Sequence, residues 1–113
     1  MAQITTRQQD GVSVVDVKGR IVIGVGDVQL REAVRGLLSD GARKIVLNLA
    51  DVTSIDSSGI GELVSAYTAT SRENGQLKLA NLPPKIMDIL RITQLLTVFD
   101  VHDSEDEATA SFG

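Results

Sequence analysis

The sequence predicts an α/β fold built on a mostly parallel sheet, and three observations carry that expectation. Short apolar runs alternate with segments of helical period along the whole 113-residue chain. One of these runs, KIVLNLA from Lys44, is apolar almost without interruption, the expected look of a strand covered on both faces. Asp10-Gly11, lying between two strand-like stretches, marks an antiparallel hairpin at the start, because both residue types tolerate positive φ.

Each element follows in order. AQITTRQ is a weak strand candidate, and VSVVDVKG, residues 12 to 19, is a valine-rich and partly alternating one. In RIVIGVGD, Gly24 and Gly26 mark a loop; Leu30, Ala33, Val34, Leu37 and Leu38 then recur at helical spacing, with Asp27 as the expected N-cap and Gly41 as the stop. After the strand KIVLNLA, the segment DVTSIDSSG leads into a second helix with Ile60, Leu63, Val64 and Tyr67 on one stripe, broken at Asn74-Gly75. QLKLANL is a further strand, and Pro83-Pro84 opens a third helix carrying Ile86, Met87 and Leu90. TVFDV is a brief last strand, with Leu95, Leu96, Val98 and Phe99 expected to close the sheet edge, the alternative being an apolar surface patch that serves a partner. SEDEATASF is a short last helix with Ser104 and Glu107 spaced as a capping box. The order is strand, strand, helix, then three strand-helix units, in one domain expected over residues 1–113.

Composition narrows the function. The chain is 42% hydrophobic and 23% charged, as in ordinary globular proteins, and carries a net charge of -4 with its lysines and arginines scattered singly. Nothing in that distribution suits a nucleic acid backbone. The absence of cysteine removes thiolate catalysis and cysteine zinc sites, and the lone His102 makes no cluster; it is expected to be a solvated residue at a strand end. No apolar stretch approaches the ~18 residues of a membrane span and the start of the chain lacks a signal-peptide layout, so no membrane association and a cytoplasmic location are expected.

The chemistry concentrates in DSSGIG, residues 56 to 61. An acid and two hydroxyls fall where a strand gives way to a helix, a place where free N–H groups and the helix dipole favour negative charge. Capping explains one hydroxyl or acid but not three, and Glu62 falls one residue late for a capping box that starts at Ser58. Gly59 and Gly61 each cost a helix up to about 1 kcal/mol relative to alanine, which suggests that another molecule approaches the backbone there. A hydrolase is disfavoured, since the run is not G-x-S-x-G and no base adjoins it. A phosphate cradle lacks the third glycine and any Gly-Lys-Ser/Thr, and Asp51 with Asp56 lacks a third acid for magnesium. The acids Asp100, Asp103, Glu105, Asp106 and Glu107 are expected to form a solvated face.

The element order, together with IDSSGIGELVSAY, GQLKLANLPPKIMDILRITQL and VFDVHDSEDEA, resembles the STAS domain family, in particular its small anti-sigma factor antagonists, over nearly the whole chain. The resemblance implies a single α/β STAS domain with about four helices, no enzymatic activity and no cofactor of its own. It implies that Ser57, the serine after the aspartate, is phosphorylated by an anti-sigma factor that is also a serine kinase of GHKL type, with Ser58 the alternative. The unphosphorylated antagonist binds that kinase, phosphorylation breaks the complex, and a PP2C-type phosphatase restores it; ATP and magnesium belong to the kinase. Asp56, Ser57, Ser58, Gly59 and Gly61 would form the partner surface, with Arg20 and Asp27 beside them. The chain departs from the family after its second strand, where a G-E-L-D stretch commonly stands: GRIVIGVGD places Arg20 and Val22 at the acidic positions and leaves Asp27 as the candidate for the missing acid. Two further readings stay open, a scaffold module of a larger signalling complex and a binder of small phosphates or nucleotides.

Overall fold

The computed structural model describes residues 3–112, so Ala2 of the first predicted strand lies outside the described residues. Five strands form one sheet in chain order, β1 (Gln3–Gln9), β2 (Val12–Ile21), β3 (Lys44–Ile55), β4 (Gln76–Ala80) and β5 (Asp100–His102). β1 and β2 pair antiparallel and every later pairing is parallel. The hairpin turns where expected, with Asp10 at φ 53° and Gly11 at φ 80°, the positive angles that match the twist of the flanking strands.

The α-helices are α1 (Asp27–Ser39), α2 (Ser57–Arg72), α3 (Pro84–Ile92) and α4 (Glu105–Ala110), and a 3-10 turn occupies Leu95–Thr97. Strand alternation decides which face each helix covers. Val15, Val17, Ile45, Leu47, Leu49, Leu77 and Leu79 face Leu30 and Val34 of α1, Leu63 and Ala66 of α2, and Ile86 and Leu90 of α3 in one core. The intervening Val12, Val14, Val46 and Ala80 face Ala108 of α4 and Phe112 on the other side. The doubly apolar run from Lys44 is thereby explained, since both of its faces are covered. Tyr67 packs edge-on against Phe99 with ring centroids 5.6 Å apart, closing the main core.

Five expectations need correction. Asp27 is the first residue of α1, not its cap; Gly26 precedes the helix at φ 89°, and its N–H donates to Gln29 Oε1 at 2.8 Å. β3 does not stop at Ala50 but continues to Ile55, because the end of β2 stays paired with it, as Gly19↔Val52 after one break in register and as Arg20↔Ser54 and Ile21↔Ile55 after a second. The last strand begins at Asp100, since Leu95–Thr97 first closes a 3-10 turn. His102 is not solvated: its side chain is 17% exposed and its Nε2 lies 3.1 Å from Asp100 Oδ1. Nor is the acidic end a uniformly solvated face, as Glu105 pairs with Arg7 and Asp100 lies 2.8 Å from the buried Lys78 ammonium. Among the described residues no helix is long and apolar enough to cross a membrane.

Candidate functional site

The long β3 determines where the site stands. It carries the chain past the end of the core and releases it at Asp56, whose N–H donates to the Ile21 carbonyl at 3.3 Å as the last link to β2. α2 starts at once. Asp56 has extended backbone and caps the helix, with Oδ1 accepting from Gly59 N–H at 2.9 Å. Its Oδ2 accepts from Ile23 N–H at 3.1 Å, so one carboxylate joins the loop after β2 to the start of α2. Those two backbone donors, Gly59 first and then Ile23, hold the Asp56 carboxyl below the usual carboxylate range.

With Asp56 as cap, the hydroxyls are spare. Ser57, the first residue of α2, is exposed, whereas Ser58 is half-buried. The two glycines then separate in role. Gly59 is buried, and a Cβ there would collide with the Ile21 carbonyl oxygen and come within 2.6 Å of Ile55 Cγ1. Its lack of a side chain is therefore demanded by the fold itself. Gly61 is exposed, and a Cβ there would meet nothing within 4 Å. Packing within the chain gives no reason for a glycine at that position, so the approach of another molecule remains a reason only for Gly61.

The loop from Val22 to Gly26 is a tight turn, closed by Val22 and Val25 exchanging two backbone hydrogen bonds of 2.8 Å. It lifts Ile23 to 73% exposure directly beside Asp56, with Val28 at 42% exposure on the first turn of α1. Asp27 is turned inward at 7% exposure, its Oδ1 accepting from Gly24 N–H at 3.1 Å and Val28 N–H at 2.7 Å. Those bonds shape the loop and leave Asp27 off the exposed surface. Arg20 is exposed, but it precedes the fully buried Ile21, and alternation turns it toward the opposite face of the sheet. The structure thus brings Asp56, Ser57, Ser58, Gly59 and Gly61 together, adds Ile23, and leaves Asp27 beneath and Arg20 behind. An isoleucine immediately before the loop glycine Gly24 is the one sequence signal for Ile23.

One turn further along α2, Glu62 receives both arms of Arg31 from α1, Nε to Oε1 at 3.0 Å and a terminal nitrogen to Oε2 at 2.7 Å. That pairing raises the Arg31 pKa and locks the two helices at the level of the site. Among the described residues no group of three or more His, Asp or Glu stands where it would hold a metal ion. A phosphate cradle on Gly59-x-Gly61 is poorly served as well, because the Gly59 N–H already belongs to Asp56 and the glycine is buried.

Comparison with known proteins gives a consistent result. A family model described as STAS domain matches residues 3–108. The anti-sigma-B factor antagonist of Bacillus subtilis is 30% identical over 87% of this chain and 88% of its own length. BtrV of Bordetella bronchiseptica, whose name also refers to an anti-sigma factor antagonist, is 26% identical over 97% of this chain and 94% of its own. The crystal structure of TM1081 from Thermotoga maritima superposes with a TM-score of 0.88 at 25% identity, covering 96% of this chain and 92% of that one.

Proposed function

The chain belongs to the STAS domain family, and from that premise we propose that it is an anti-sigma factor antagonist, one STAS domain over residues 1–113 that works by binding and not by catalysis. Unmodified, it captures an anti-sigma factor of GHKL serine-kinase type; phosphorylated on Ser57, it lets that partner go, and a PP2C-type phosphatase resets it. ATP and magnesium come with the kinase, which places the pair in the cytoplasm.

The observation that carries this reading is the spare, exposed hydroxyl of Ser57 at the first position of α2. Asp56 takes the capping role that would otherwise occupy a serine, and the half-buried Ser58 offers a kinase the poorer target. A phosphoserine adds about -1.5 to -2 charges, which the helix N-terminus tolerates. A partner seated against Ile23, Ser57 and Gly61 meets that charge at close range, so binding is lost while the fold survives.

The test is mass spectrometry of the chain after incubation with the GHKL-type kinase of its own genome and ATP, paired with affinity measurements. Ser57→Ala should bind that kinase yet take no phosphate, and Ser57→Asp should bind at least tenfold more weakly, about 1.4 kcal/mol. Phosphate on neither Ser57 nor Ser58 would overturn the switch.

A further inference from the structure

Between α1 and α2 runs an open groove of about 310 Å³, lined by Arg31, Arg35, Gly61, Ser65, Thr68 and Arg72 among others. Its floor is apolar, with Val34 and Ala66 at 1% and 5% exposure. Its rim is cationic in a chain whose net charge is -4. Glu62 is the one carboxylate in the lining, and Arg31 already engages both of its oxygens. Arg35 and Arg72 are exposed, and among the described residues neither has a carboxylate within ion-pair distance.

The groove is continuous with the site at DSSGIG. Ser57, Gly61, Ser65, Thr68 and Arg72 follow one another at spacings of three or four residues, so they share one face of α2. Small side chains on that face leave the groove open, and Gly61 stands at its upper end, one turn from Ser57. The guanidinium groups are distributed along the length, Arg31 at the level of Glu62, Arg35 one turn further down α1, and Arg72 at the end of α2. Such spacing suits an extended chain bearing several carboxylates better than one compact anion, and Arg presents a fork that matches a carboxylate.

We propose that this groove is a second docking surface for the same partner, taking an acidic extended segment of the kinase against Arg35 and Arg72 while the kinase addresses Ser57. The inference rests on the function proposed above and adds the element that reads the partner's charge. Phosphate on Ser57 would also bring like charge to the mouth of a groove that receives carboxylates, so both surfaces lose the partner together.

The experiment uses the full chain, each purified GHKL-type serine kinase of its genome, and affinity measured at low and high salt. Arg35→Glu with Arg72→Glu should weaken binding at least tenfold and flatten its salt dependence, with a wild-type circular dichroism spectrum. Arg35→Lys with Arg72→Lys should recover much of the affinity. A control of equal net charge, Lys18→Glu with Lys44→Glu, lies outside the groove and should bind like wild type. Wild-type affinity and salt dependence in the arginine reversal would overturn the groove and leave the Ser57 switch standing. Equal loss in reversal and control would reduce it to a net-charge effect and overturn it too. A wild-type chain that no such kinase binds or phosphorylates would overturn both proposals.

Discussion

Replacing Gly59 and Gly61 by alanine, one at a time, should move stability in opposite directions, although the two residues stand two positions apart on one helix. At Gly59 the added methyl meets the Ile21 carbonyl oxygen, a backbone atom held in place by the Asp56 N–H at 3.3 Å, and Ile55 Cγ1 at 2.6 Å. Overpacking of a fixed core costs about 1–3 kcal/mol, and the upper part of that range applies because the obstruction is backbone and not a flexible side-chain end. The gain in helix propensity, up to about 1 kcal/mol, offsets only part of it. The net loss is about 2 kcal/mol, which for a domain of this size lowers Tm by roughly 10 °C. At Gly61 nothing lies within 4 Å of the new methyl, so the propensity term acts alone and Tm should rise by roughly 4 °C. Thermal and urea melts of both variants followed by circular dichroism are sufficient. If Gly59→Ala melts at or above wild type, the close approach of α2 to β2 is not what requires the glycine, and the reasoning fails. A Gly61→Ala that melts well below wild type would equally refute the division of roles.

Two other outcomes are expected. Asp56→Ala should lower Tm and loosen the loop at Ile23, since one carboxylate holds two backbone donors; amide exchange at Ile23 and Gly59 reads this directly. Because the folded-state pKa of Asp56 is depressed, its contribution is fully present above the ordinary carboxylate value of about 3.9 and disappears as pH falls through the lower folded value; in acid the stability difference between wild type and Asp56→Ala should therefore shrink. Arg31→Ala should destabilise the chain more than the double variant Arg31→Ala with Glu62→Gln, since the single change leaves a carboxylate side chain only 10% exposed without its partner; a double-mutant cycle in which neutralising Glu62 brings no recovery would count against the pairing as drawn.

What could be read before the structure follows from what is local. The hairpin at Asp10-Gly11, the doubly apolar β3, the apolar stripe of α2 and the serine cap of α4 depend on residues within a few positions of one another, and all are present. DVTSI looks like a loop by composition, and it is a strand only because β2 continues beside it. Asp56, Ser57 and Ser58 are all good caps by residue type, and the role falls to Asp56 because β3 leaves β2 there. The reason for Gly59 lies in Ile21, far upstream in sequence, so no local pattern contains it. The same holds for Arg31 with Glu62 and for Lys78 with Asp100, whose partners are supplied by tertiary packing.

The division of labour among Asp56, Ser57 and Gly59 bears on how a phosphate would act as a switch here. A cap provided by Ser57 would couple phosphorylation to the helix itself, because modifying the hydroxyl would remove a bond that starts α2. With Asp56 as the cap, Ser57 can gain or lose phosphate while the Gly59 and Ile23 bonds persist. The cost then falls on whatever docks over the exposed hydroxyl. Like charge beside Asp56 is partly offset by the N-terminal dipole of α2 within the chain, but a partner covering Ser57 would have to exclude water from a group carrying about two negative charges. Under the proposed switch the fold would therefore absorb the modification where the interface would not, and melts of the Ser57-phosphorylated chain should lie within a few degrees of the unmodified one while kinase affinity falls at least tenfold. A phosphorylated chain that melts far lower would mean that the switch works through the helix and not through the interface.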